Sequence, residues 1–69
     1  MKFSARNVFP GKIIDIVHGP VSTEVTLRVA KNVEIVSVIT SQSAKRLKLK
    51  KGKQAYALIK ADSVIVGVD

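Results

Sequence analysis

The chain has 69 residues, twelve Lys and Arg against five Asp and Glu, a formal net charge of +7 and no cysteine. That length allows one domain, residues 1–69, with a thin core. It excludes a disulfide framework and a thiolate metal site, and one histidine cannot build a zinc centre alone. Hydrophobic residues make up 46% of the chain but aromatics only 4%, so its apolar content is mostly Val, Ile, Leu and Ala, which suits β-sheet and leaves area for contact between copies.

In chain order, Asn7 to Val17 and Val21 to Val29 are β-branched segments flanking the turn His18-Gly19-Pro20, which predicts a hairpin. In the second segment Val25, Leu27 and Val29 alternate with Glu24, Thr26 and Arg28, the period of a strand with one buried face. Pro10-Gly11 interrupts the first, so a late start, a bulge or a sharp bend is expected there. Lys31-Asn32 turns into Val33 to Thr40, which is apolar on both faces and needs a second partner surface. Ser41 to Leu49 has helix formers, with Thr40 or Ser41 as N-cap. Gln54 to Ile59 returns to strand, Ala61-Asp62-Ser63 turns, and Val64 to Val68 is expected as the last strand. The order β-β-β-α-β-β is that of an all-β, five-stranded OB-like Greek-key barrel with one short helix between strands 3 and 4.

The basic balance permits anionic partners without choosing among them. Lys45, Arg46, Lys48, Lys50, Lys51 and Lys53 form one acid-free stretch whose ordinary reading is a solvated helix end and turn. Three separated segments suit an oxyanion. Thr40 and Ser43 stand three residues apart where a strand meets a helix, so two hydroxyls lie beside unpaired amides; plain N-capping is the alternative. Ser4 and Arg6 alternate on an extended stretch and can point the same way, the arginine presenting a fork of donors, or being simply a surface residue. Lys60 ends a strand before a tight turn, where it offers a point charge and Ala61 an amide; edge protection is its other reading.

No catalytic set accompanies them. His18 has no acid or serine at a diagnostic spacing, Asp15, Asp62, Asp69, Glu24 and Glu34 are scattered, and the four glycines are isolated rather than a phosphate loop. No nucleophile has a base to activate it, and no set of side chains forms a cation cage. Phe3, Phe9 and Tyr56 are the only aromatics, and none lies on the second or third strand, where an OB fold stacks bases. Phe3 and Phe9 are expected to plug a barrel end or an interface, and Tyr56 to lie on a sheet face. A basic OB module for single-stranded nucleic acid is the competing reading, and a subunit docking on a transporter or regulator is a third. No apolar run approaches the roughly 20 residues needed to span a bilayer and the start lacks a secretory pattern, so a cytoplasmic location is expected.

Ser4-Ala5-Arg6-Asn7 with Gly11-Lys12, Glu24-Val25, Ile39-Thr40 with Ser43, Leu49 before Gly52, and Ile59-Lys60-Ala61 together resemble the molbindins, small molybdate-binding Mop proteins. The resemblance runs in order over nearly the whole chain. It implies an OB-like barrel that shares strands in a dimer, three such dimers making a hexamer that stores molybdate or tungstate. It further implies sites between subunits, with Ser4, Arg6, Lys60 and the Ala61 backbone from one chain and Thr40 and Ser43 from another. Where the family often has a hydroxyl, this chain has Ala61, so only the amide carries over. A donor-only site favours MoO4²⁻, which has no proton to give, over hydrogenphosphate, which also needs an acceptor. Sulfate matches molybdate in charge and shape, so rejecting it falls to cavity size.

Overall fold

A computed structural model describes residues 4–69. Strands β1 (Asn7–His18), β2 (Ser22–Ala30), β3 (Val33–Thr40) and β4 (Gln54–Ile59) form one antiparallel sheet in the order β3-β2-β1-β4. Helix α1 (Ser41–Arg46) lies between β3 and β4, and a 3₁₀ turn covers Ala61–Ser63.

The twelve-residue β1 is shared between two neighbours. Asn7 to Lys12 pairs with β4 and Lys12 to His18 with β2, so Lys12 has a partner on both sides. The interruption expected at Pro10-Gly11 does not occur, because Pro10 opposes Tyr56 and Gly11 opposes Ala55 within an unbroken ladder. Pro10 lies on the stretch of β1 that has a neighbour on one side only, where a missing N–H is tolerated. The irregularity falls later, where the register with β2 shifts between Ile13 and Asp15. Gly11 serves close approach instead: a Cβ there would stand 2.6 Å from the Arg28 carbonyl oxygen and 2.9 Å from Val29 Cγ1.

Ile13, Val25 and Leu27 are the buried heart of the sheet, with Ile16, Val29, Ile39, Leu49 and Ala55 packed around them. At about 1.5–3 kcal/mol for each fully buried aliphatic side chain, three of them make a modest core. The alternation on β2 therefore reads correctly, and β3 is apolar on both faces as expected, with Val36 and Val38 turned out to solvent.

Helix α1 ends at Arg46, before the expected Leu49, because Lys48 takes a left-handed φ of 55°. The Leu49 N–H donates to the Ala44 carbonyl and the Lys48 N–H to that of Lys45, at 3.2 and 3.0 Å, which is a Schellman ending. Lys53 Nζ covers two further carbonyls, donating to Leu47 O at 2.8 Å and Lys48 O at 3.2 Å.

The fifth strand expected over Val64 to Val68 is absent from this chain. Beyond the 3₁₀ turn, where the Val64 N–H donates to Ala61 O at 3.4 Å, the segment pairs with no strand, and Ile65 and Val68 are each 94% exposed. β-Branched residues favour extended backbone, but a strand forms only beside a partner, and this segment meets no edge of its own sheet. Among the described residues there are thus four strands, not five, and recesses of about 440 and 380 Å³ lie between the unpaired edges of β3 and β4.

Replacing Lys48 with glycine removes a left-handed Cβ penalty while loosening the unfolded chain. The net gain expected is about 0.5–1 kcal/mol, read as a raised urea midpoint at fixed protein concentration.

Candidate functional site

Residues far apart in the chain meet through the β1–β4 ladder. Asn7 opposes Ile59, and carrying that antiparallel register one step outward puts Arg6 opposite Lys60. Asn7 reinforces the junction, its Nδ2 donating to Ile59 O at 3.2 Å. Just beyond the ladder, Ser4, Arg6, Lys60, Ala61 and Asp62 line a recess of about 280 Å³. Four of the six residues expected to bind an oxyanion are therefore gathered by one strand pair and the turn that follows it. Among the described residues Arg28 with Glu34 is the only ion pair, at 2.8 Å, so no carboxylate lies within ion-pair distance of Arg6 or Lys60. The guanidinium offers two parallel donors, the ammonium a point charge and Ser4 a hydroxyl. The Ala61 N–H, at the head of the 3₁₀ turn, has no partner within that turn.

Asp62 was legible in the sequence only as a turn residue. Its neighbourhood to Lys60-Ala61 is the available signal, since a 3₁₀ turn starting at Ala61 wraps the next side chain around the same recess. It breaks the donor-only character expected of the site.

Thr40 and Ser43 do not line that recess. They form a second cluster at the end of β3, where Thr40 is the N-cap of α1 in extended conformation. The Ser43 N–H donates to Thr40 Oγ1 at 3.1 Å, and Thr40 Oγ1 donates to Ser43 Oγ at 2.8 Å. Thr40's proton is engaged, and Ser43's hydroxyl proton is the one left to point outward. Beneath them Ser41 Oγ donates to Gly19 O at 2.5 Å, so Thr23, wholly buried, is the donor in its 2.7 Å contact with Ser41 Oγ. With the Ser41 N–H donating to Val21 O at 2.8 Å, this network ties the β3–α1 junction to the β1–β2 turn.

Elsewhere, Lys45, Arg46, Lys48, Lys50 and Lys51 are exposed, while Lys53 is occupied at the helix end. Phe9 is 38% exposed and seals no barrel end within this chain. Phe3, expected in the same role, lies outside the described residues. Tyr56 lies on the sheet and borders both recesses between β3 and β4. Neither β2 nor β3 carries an aromatic to stack a base, so the nucleic-acid reading gains nothing. Among the described residues no three His, Cys, Asp or Glu side chains form a cation-binding group, and no helix is long and apolar enough to cross a membrane.

Residues 4–66 match the TOBE domain. The chain is 42% identical, over the full length of both, to the probable molybdenum-pterin-binding protein of Haemophilus influenzae. It is 49% identical over 69 residues to the molybdenum transport protein ModE of Herbaspirillum seropedicae, of which it spans 26%. Its structure matches the cytoplasmic molybdate-binding protein ModG, in a molybdate-bound form, with a TM-score of 0.94 at 42% identity, over 100% of this chain and 49% of that one.

Replacing Thr23 with valine keeps the shape and deletes a buried donor. A loss of about 1 kcal/mol in unfolding free energy is expected, measured by denaturant titration, with faster hydrogen exchange at the Ser41 and Ser43 amides.

Proposed function

The chain belongs to the TOBE domain family, and we propose that it is a single oxyanion-binding domain that stores molybdate or tungstate in the cytoplasm, at sites between copies of itself. The observation that carries this reading is the recess where Ser4, Arg6, Lys60 and the Ala61 amide converge with neither cation neutralised by an ion pair. A tetrahedral dianion seated there receives the arginine fork on one or two oxygens, the lysine charge on another and the Ser4 and Ala61 donors on the rest. The site binds rather than catalyses, because nothing in it is a nucleophile with a base to activate it.

One chain covers only one side of such an ion. The recess is open and its lining exposed, so the outward oxygens of a bound dianion would remain in water. Thr40 and Ser43 of a second copy supply what is missing: Ser43 already has a free hydroxyl proton, and Thr40 regains one by turning from Ser43 to the anion. The similarity to proteins described as molybdate-binding and molybdenum-pterin-binding supports molybdate as the oxyanion. ModG's description as cytoplasmic supports the location.

The unpaired tail supports self-association. Val64 to Val68 is an apolar segment without a sheet, and the gap between β3 and β4 is an apolar slot without a strand. Five extended residues reach about 17 Å, enough to run along most of the six-residue β4. A tail donated by a second copy would give each sheet its fifth strand and complete the OB-like barrel, and three such dimers make the hexamer that the molbindin resemblance implies.

Isothermal titration with molybdate in sulfate-containing buffer, with the assembly's mass measured in parallel, tests the reading. About one or more oxyanions per chain is expected in an oligomer, and no heat from an assembled oligomer overturns it. Arg6→Ala is expected to abolish binding at the interface site with the β-sheet circular dichroism retained; unchanged affinity and stoichiometry would sink the site assignment. The double substitution Ile65→Asp with Val66→Asp places charge on both faces of the tail. It should yield monomers by native mass spectrometry, and an intact oligomer with full binding would remove the tail from the interface.

A further inference from the structure

The recess holds one residue that works against the rest. Asp62 lines the same 280 Å³ space as Ser4, Arg6, Lys60 and Ala61, without an ion pair to either cation. An acid in the first turn of a helix is ordinarily accounted for by the helix dipole, but a three-residue 3₁₀ turn has little dipole to satisfy. A structural role as a partner for Arg6 or Lys60 is likewise unsupported, since neither comes within 4.0 Å of it. What remains is the carboxylate's effect on whatever enters the recess.

That effect depends on the visitor. An ionised carboxylate is a pure acceptor, while the Arg6 and Lys60 side chains and the Ala61 N–H around it are donors and the Ser4 hydroxyl is both. A fully deprotonated dianion brings only acceptors, so it gains from four neighbours and is repelled by the fifth. An anion that still carries a proton, such as hydrogenphosphate, brings an O–H that Asp62 can accept.

Building on the oxyanion reading above, we propose that Asp62 is a specificity-determining residue of the recess. Its charge holds down the affinity for fully deprotonated dianions and narrows their advantage over hydrogen-bearing ones. The lowered affinity keeps the bound ion exchangeable, which suits a reservoir that must give up what it holds. Repulsion that opposes binding is a recognised route to setting specificity.

The test uses the assembled full chain and two variants. Asp62→Asn keeps the shape and adds a donor, and Asp62→Ala removes the charge and adds nothing. In molybdate titrations at low ionic strength both variants are expected to bind about three- to tenfold more tightly than the wild type, the scale of an exposed charge acting on a dianion. Screening at 1 M salt, with a Debye length of about 3 Å, should close that difference. Hydrogenphosphate, titrated in the same way, should not gain with molybdate.

A merely structural Asp62 predicts weaker or unchanged binding with a lowered unfolding midpoint, and either result overturns the proposal. A gain confined to Asp62→Asn would trace to the added donor and overturn it too, as would a gain that survives high salt. If the wild-type chain takes up no molybdate, the oxyanion reading falls and takes this one with it. If the wild type binds and the variants bind as it does, the Asp62 assignment alone falls.

Discussion

At Gly11 the backbone of β1 runs so close to β2 that a Cβ would stand 2.6 Å from the Arg28 carbonyl oxygen. This is the place where β1 stops pairing with β4 and starts pairing with β2, and the handover at Lys12 is what holds the two halves of the sheet together. Ile13, the next residue, is fully buried, its N–H donates to Lys53 O, and its carbonyl accepts from the Gly52 N–H. The basic loop after α1 is thereby fastened to the same point of β1 that organises the core. In a sheet with three residues at its heart, loosening that crossing would loosen the ladder that carries Arg6 to Lys60 as well.

The chemistry is divided between two places that differ in kind. The recess beyond β1 and β4 is charged and open, its cations unneutralised by the chain itself. The β3–α1 junction holds Thr40 and Ser43 hydrogen-bonded to each other above a part-buried chain of hydrogen bonds from Thr23 through Ser41 to Gly19. In the proposed site, charge attracts a dianion, and fixed hydroxyls give it a defined set of partners without a large electrostatic field. Asp62 belongs to the first place and, as proposed above, moderates it.

Most of the fold is legible in the chain because local pattern and tertiary context agree. The alternation along β2 corresponds to a buried face, and the N-cap at Thr40 is signalled by its position before a run of helix formers. Three features are not legible, each for a separate reason. Val64 to Val68 has every local mark of a strand, but pairing is a property of a neighbour and not of the segment. Lys48 gives no hint of a left-handed backbone, because the residue that normally advertises it is glycine, and here the Schellman hydrogen bonds and Lys53 impose the conformation on a lysine. Pro10-Gly11 looks like a break, yet glycine is there for proximity and proline for a one-sided edge, and neither purpose appears in a linear pattern. Within the site, Ser4, Arg6, Lys60 and Ala61 come together because the ladder register is antiparallel and in step. Asp62 escapes notice because acids in turns are commonplace.

The short 3₁₀ turn over Ala61–Ser63 separates β4 from the exposed tail, so a single molecule carries both an unpaired apolar segment and a slot between unpaired sheet edges. Complementary surfaces on one chain can be satisfied by reciprocal exchange between two molecules, which closes at once, or by each molecule passing its strand to the next, which never closes. The difference between a finite particle and a fibre then rests on the angle at which three residues launch the tail. In the proposed assembly, a flexible insertion after Ser63 would leave every strand and every site residue unchanged and free the launching angle on which closure depends.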